Sequence, residues 1–178
     1  IALRTGDPVL DIGAYAAAIS EPIRAAAELG KATIYLEPGR SLVGRAGVAL
    51  YRVVGIKRVD GVRTFVAVDG GMGDNIRPSL YGAMYTAVLA ARAGTTPAEH
   101  VAIAGKYCES GDILIRDVAL PTPVSDEILA IPGAGAYAVA MASNYNHHVR
   151  PAVALVDRGR VRLIRRRETH ADIWRLER

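Results

Sequence analysis

One cysteine, Cys108, stands in the segment Gly105-Lys-Tyr-Cys-Glu-Ser-Gly-Asp112. A lone cysteine is more often a buried, inert side chain than a reactive one. This one is flanked by glycines and by Lys106, Glu109 and Asp112, the composition of an exposed loop, where a thiol can serve as an acid or as a thiolate. Arg77-Pro-Ser-Leu-Tyr81 sets a guanidinium and a phenol on one short segment, with Pro78 fixing the turn, although such a pair is also common on surfaces. Glu37-Pro-Gly-Arg40 follows a short apolar run, at the strand end where α/β folds collect their sites. Gly133-Ala-Gly-Ala-Tyr-Ala138 fits G-x-G-x-x-A, with Asp157 about 20 residues further on. Pro132 directly before the first glycine, and Asn144 to His148 interrupting the return to the next strand, weigh against a dinucleotide site. Gly70-Gly-Met-Gly-Asp74 lacks the Lys-Ser/Thr of a phosphate loop and reads as a tight connection. His147 and His148 are adjacent and make no metal pair by spacing, so they read as surface or structural.

The chain that must position these groups has 178 residues, 51% apolar and 22% charged, enough to bury a core. The longest apolar stretch, Pro132 to Ala142, falls well short of the ~18 residues of a membrane span. A single cysteine excludes an internal disulfide framework and any zinc site built on several cysteines, and it suits a reducing, cytoplasmic setting. Net charge is +4, and of the 22 basic residues only Lys31, Lys57 and Lys106 are lysines. The cluster Arg162, Arg165, Arg166 and Arg167 lacks interleaved aromatics, and a solvated face is expected there rather than a nucleic-acid surface.

Asp11 to Leu29 has helical apolar spacing, interrupted or restarted at Glu21-Pro22, with Gly30 as a C-cap. Ala32 to Leu36 suits a buried strand, so this region reads as half of a βα repeat. Beyond Gly47, Val48 to Val59 and Arg63 to Asp69 flank the hairpin signal Asp60-Gly61. Further strands are predicted at Tyr85 to Leu89, Val101 to Ala104, Glu127 to Ile131, Ala152 to Val156 and Val161 to Arg165. Helices are predicted at Ala136 to Ser143 and Thr169 to Leu176. The strand spacing predicts an antiparallel sandwich or barrel, with a domain boundary near Ser41 to Gly47.

Taken in order, the segments Glu37-Pro-Gly-Arg40, Val68-Asp-Gly-Gly-Met72 running into Ile76-Arg-Pro-Ser-Leu-Tyr81, Gly105 to Asp112, Gly133 to Tyr137, and Met141-Ala-Ser-Asn-Tyr-Asn146 resemble the diaminopimelate decarboxylases. These belong to the alanine-racemase-like class of pyridoxal phosphate enzymes. The resemblance extends over nearly the whole chain, closing on Arg167-Glu-Thr-His-Ala-Asp-Ile-Trp174. It implies an α/β plus β fold: the last part of a (β/α)₈ barrel in residues 1–41, then a mostly antiparallel β-sandwich or barrel domain in residues 42–178. A barrel takes about 250 residues, so a C-terminal portion of the enzyme is expected. None of the three lysines stands in the context of the family's Schiff-base lysine. His147-His148 and a Pro151-Ala-Val-Ala-Leu155 segment without the family's common Glu are departures.

The resemblance also implies roles. Glu37 holds the proton on the cofactor's pyridine nitrogen, while the Gly39 and Arg40 backbone and Tyr137 contact the pyridoxal 5'-phosphate. Arg40, Arg77 and Tyr81, with Tyr137 nearby, receive the distal carboxylate of meso-2,6-diaminopimelate, and Glu109 receives its distal ammonium. Cys108 returns a proton to Cα after CO₂ leaves. The Cys108-Glu109 loop reaches a second subunit, so a homodimer is expected, with no metal, nucleic acid or membrane partner. Two other readings compete: a related decarboxylase of the same class acting on ornithine or arginine, and a non-catalytic β dimerisation module.

Overall fold

A computed structural model describes residues 6–29 and 31–177. Helix α1 spans Ile12–Ala25, and Asp11 caps it by accepting from the Ala14 N–H at 3.1 Å. The helix continues through Pro22 instead of restarting there, then tightens to a 3₁₀ turn at Ala27–Leu29. The C-cap predicted at Gly30 lies outside the described residues. The strand predicted at Ala32 to Leu36 does not form: the segment is exposed and pairs with nothing. A barrel strand is held by parallel neighbours on both sides, and no described strand of this chain lies beside it. Helix α2, Gly39–Val43, and a 3₁₀ turn at Gly44–Ala46 lead into the sheet.

Strand β1, Val48–Val59, turns back into β2, Arg63–Val68. Gly61 sits between them at φ +68°, the left-handed conformation the predicted Asp-Gly turn requires. After a short helix α3, Arg77–Tyr81, come β3, Val88–Leu89, β4, Glu99–Ala104, β5, Ile113–Leu120, and β6, Ile128–Pro132. The six strands form one sheet in the order β3-β6-β1-β2-β4-β5. The first part of β1, from Val48 to Arg52, pairs with β6, and the part from Val53 onward pairs with β2. The change of partner coincides with an irregularity between Val53 and Gly55, where the extra residue lets the strand bend. One pairing departs from the antiparallel expectation: β4 runs parallel to β2. The chain makes that return through α3 and the connections around it, a crossover long enough for parallel pairing.

The core lies against this sheet. Val53, Val66, Ile103, Leu129 and Leu89 are essentially inaccessible, each contributing about 1.5–3 kcal/mol of burial. On the first part of β1 exposure alternates, with Tyr51 and Val53 inward and Leu50 and Val54 outward. Helix α4, Ala138–Met141, follows β6, and strands β7, Val153–Asp157, and β8, Arg160–Arg165, make a separate exposed hairpin. Helix α5, His170–Trp174, is capped by Thr169, where the predicted helix begins; the Thr169 backbone N–H donates to Asp172 at 2.7 Å in a reciprocal capping box. Two members of the arginine cluster pair locally: Arg166 forks onto Asp172 at 2.6 Å, and Arg165 pairs with Glu168. Among the described residues no helix is long and apolar enough to cross a membrane.

Candidate functional site

Arg40 on α2, Arg77 and Tyr81 on α3, Tyr137 just before α4, and Met141 on α4 line one cleft of about 320 Å³. The family resemblance gave four of these five residues a site role; Met141 opens one of the resembling segments but received none. The Arg77 guanidinium lies 4.9 Å from the centre of the Tyr137 ring and 5.6 Å from that of Tyr81, so two π-faces hold it in place. Its Nε is, among the described residues, the one buried side-chain nitrogen or oxygen without a hydrogen-bond partner. A buried donor left unpaired costs about 1–3 kcal/mol, which a bound acceptor would recover. The lining has two guanidiniums, two phenols and no carboxylate, and it therefore suits an anionic group.

Local backbone chemistry assembles the cleft. Gly82 closes α3 in the left-handed conformation, and its N–H returns to Pro78 at 3.1 Å. The Gly133-to-Tyr137 segment packs backbone to backbone against the end of α2: the Gly135 N–H donates to Gly44 at 3.0 Å and that of Ala134 to Gly47 at 2.9 Å. A Cβ on Gly135 would collide with the Val43 carbonyl, and one on Gly47 with the Gly135 backbone. The glycines thus serve close approach of two chain segments, which brings Tyr137 beside Arg40. Tyr137 itself has φ +70°, a conformation that costs a non-glycine residue about 1–3 kcal/mol and is held by its surroundings.

Cys108 does not line this cleft, nor do Glu109, Glu37 and Gly39. Glu37 is exposed in the unpaired segment, and the face of Gly39 where a Cβ would stand is open. Cys108 is a free, exposed thiol on a loop that Asp112 anchors. The buried Asp112 carboxylate accepts from the Tyr107 N–H at 2.9 Å and from the Met72 N–H at 2.6 Å, tying the loop to the glycine turn. Burial raises its pKa, and the two amide hydrogen bonds oppose the shift. Gly70, Gly71, Gly73 and Gly105 have no room for a side chain beside Tyr51, Tyr107 and Asp112, so the predicted tight connection is a packed junction. Ser79 of α3 donates to the Gly111 carbonyl at 2.6 Å, linking the cysteine loop to the helix that carries Arg77. Glu109 accepts from the Gly111 N–H at 3.2 Å within the same loop.

The sequence named a second loop, Asn144 to His148, without giving any of its residues a role at the site. The Asn146 side-chain amide donates to Cys108 Sγ at 3.9 Å. Tyr145 and His148 pack on Tyr107, their ring centres 5.5 and 5.0 Å away. Glu168 holds this loop: it accepts from Asn144 at 2.7 Å, from the Arg150 N–H at 2.9 Å and from Arg150 Nε at 2.6 Å. The Arg150 guanidinium is the main cause that draws the Glu168 carboxyl from its ordinary 4.5 down to about 2. A carboxyl whose pKa is lowered on folding adds stability above its unfolded value, and that stability fades as pH falls toward its folded value. Glu168→Gln is therefore expected to cost about 1.5–3 kcal/mol near neutral pH. The gap to wild type should narrow as the pH drops from about 5 toward 2. Thermal melts across that range check it; a gap constant with pH would remove the ionic role of Glu168.

A family model described as the C-terminal sheet domain of pyridoxal-dependent decarboxylases matches residues 9–135. The chain is similar to diaminopimelate decarboxylase of Bacillus subtilis, 54% identical over 144 residues that make up 81% of this chain and 33% of the relative. The crystal structure of diaminopimelate decarboxylase from M. jannaschii superposes with a TM-score of 0.91 at 35% identity, covering 100% of this chain and 41% of that one. That of the Helicobacter pylori diaminopimelate decarboxylase complexed with L-lysine superposes with a TM-score of 0.81 at 33% identity, covering 97% and 41%. The chain thus spans a third to two-fifths of the length of these proteins.

Proposed function

The chain belongs to the pyridoxal-dependent decarboxylases, whose C-terminal sheet domain it carries, and from that premise we propose that it serves the conversion of meso-2,6-diaminopimelate to L-lysine and CO₂. It does so as the C-terminal portion of a cytoplasmic, homodimeric enzyme, with residues 1–41 closing the barrel and residues 42–178 forming the second domain. The observation that carries the reading is the cleft around Arg77, with its buried unpaired Nε and a lining of two guanidiniums and two phenols without a carboxylate. Ornithine and arginine carry a cationic group at the distal end and no carboxylate there, so two guanidiniums would repel them. Diaminopimelate carries a distal carboxylate, and Arg40, Arg77 and Tyr81 are the residues to receive it.

The donor set of the cleft also fits the phosphate of pyridoxal 5'-phosphate. The backbone N–H groups of Gly39 and Arg40 and the Tyr137 hydroxyl are the groups that would hold the phosphate. When bound, the cofactor would supply an electron sink for the decarboxylation. Glu37 keeps a proton on the pyridine nitrogen through a charge-assisted hydrogen bond. Glu109 takes the distal ammonium, and Cys108 delivers the proton to Cα. Both stand on a loop outside the cleft of their own chain, which supports their serving the cleft of a second subunit. A free thiol acting as an acid must stay reduced, which suits the cytoplasm.

The test is a substrate panel on the complete polypeptide. CO₂ release is expected from meso-diaminopimelate, with ornithine and arginine at least about a hundredfold poorer in kcat/KM, the equivalent of ~3 kcal/mol of lost distal contacts. Comparable turnover of ornithine or arginine would overturn the assignment of substrate.

A further inference from the structure

We propose that Asn146 stabilises the sulfur anion that Cys108 becomes on giving up its proton, and so sets the acidity of that thiol. The inference rests on Cys108 being the acid of the reaction. In the step, the S–H bond breaks, the proton goes to substrate Cα, and the bonding pair stays on sulfur. The side-chain N–H of Asn146 lies 3.9 Å from Sγ, where that negative charge appears. A hydrogen bond given to the charged form favours it, which makes the thiol a better acid. The thiolate is reprotonated from water before the next turnover.

The amide is held there before the reaction begins. Asn146 has φ 52° and ψ 31°, and His147 follows at φ 57°, so two consecutive non-glycine residues sit in the left-handed region. Such backbone persists only where the surroundings over-determine it. Here Asn144 is fixed from one side by Glu168 and by the His148 carbonyl at 3.0 Å, and the Tyr145 and His148 rings lean on Tyr107, next to the cysteine. Asparagine is the residue type that combines tolerance of this backbone with a side-chain donor. The titratable or charged groups on the elements that meet at the thiol are Lys106, Tyr107, Glu109 and Asp112 on its own loop, Asp74 on the glycine turn tied to that loop by Asp112, and Tyr145, His147 and His148 on the Asn146 loop. Of these loops, Asn146 is the residue whose hydrogen bond reaches Sγ.

The experiment measures the pH dependence of Cys108 alkylation by iodoacetamide in the complete holoenzyme, resolved by peptide mass spectrometry. Asn146→Gly removes the amide and keeps a residue at ease at positive φ. Asn146→Asp keeps the shape and the backbone tolerance but replaces the donor with a carboxylate. The midpoint is expected to rise by roughly 0.5–1 pH unit in Asn146→Gly and further in Asn146→Asp, with kcat falling about three- to tenfold and KM unchanged. A merely structural role would lower the melting temperature and leave the alkylation midpoint in place. An unmoved midpoint in Asn146→Gly, or a lowered one in Asn146→Asp, overturns the proposal. A shifted midpoint together with full turnover in Cys108→Ala removes the acid role of the cysteine and keeps its coupling to Asn146.

Discussion

Cys108→Ala in the complete enzyme is expected to lower product formation by about 10²–10⁴, the range for loss of a positioned general acid, while substrate and cofactor still bind. The expectation follows from what the loop holds. The thiol is free and exposed, and its loop is pinned from three directions: by Asp112 to the glycine turn, by Ser79 to α3, and by Asn146 at the sulfur. The methyl group of alanine gives up the Asn146 contact with the sulfur and leaves the Asp112 and Ser79 anchors in place, so the loop keeps its position and the loss falls on the proton transfer. Cys108 stands outside the cleft lined by Arg40 and Arg77 of its own chain. Mixing Cys108→Ala chains with chains lacking the cofactor-binding lysine of the barrel should therefore restore part of the activity. In a mixed dimer with shared sites, one cleft then has both groups intact. Full wild-type turnover in Cys108→Ala would refute the acid role. Absence of recovery in verified mixed dimers would remove the crossing of the loop to a second subunit.

Arg77→Ala is expected to weaken apparent affinity for diaminopimelate by about ten- to a hundredfold, with cofactor retention nearly unchanged. A charge-assisted contact to a carboxylate is worth roughly 1.5–3 kcal/mol. The guanidinium is pre-positioned by Tyr81 and Tyr137, so little side-chain freedom is lost on binding and most of the contact energy reaches affinity. Arg77→Lys should recover only a small part, since an ammonium offers neither the planar fork nor the same stacking on two rings. Steady-state kinetics together with cofactor absorbance after dialysis give the result. A variant that loses the cofactor and keeps its substrate affinity would mean that Arg77 faces the phosphate instead.

The cleft residues Arg40, Arg77, Tyr81 and Tyr137 were legible in the chain through the family resemblance that Glu37-Pro-Gly-Arg40, Arg77-Pro-Ser-Leu-Tyr81 and Gly133 to Tyr137 carry, whereas residue type and spacing alone left the Arg77 and Tyr81 pair as one that is common on surfaces. The β1–β2 hairpin was readable from local signals: Asp60-Gly61 sits between two β-branched runs, and Gly61 adopts the positive φ that this pair announces. Thr169 marked the start of the last helix, and the capping box that it forms with Asp172 lies within four residues. Each of these last two features is decided by contacts a few residues apart.

Strand β5 was hidden by a tertiary irregularity. Its pairing with β4 shifts between Val101 and Ile103, where Val118 and Ile115 are the partners, so Arg116 and Asp117 both face solvent and the alternation of a half-buried strand is broken. The apolar run Ala32 to Leu36 misled in the opposite direction, since it has a strand's composition and no strand beside it. The strand-like composition of a segment is local, but its hydrogen-bond partners are not. The parallel pairing of β2 and β4 and the meeting of Asn146 with Cys108 likewise depend on segments far apart in the chain. Residue chemistry and turn type were thus settled by the order of amino acids alone. Which donors share a cleft was decided only by tertiary packing, because Arg40 and Tyr137 meet where Gly47 and Gly135 let two backbones touch.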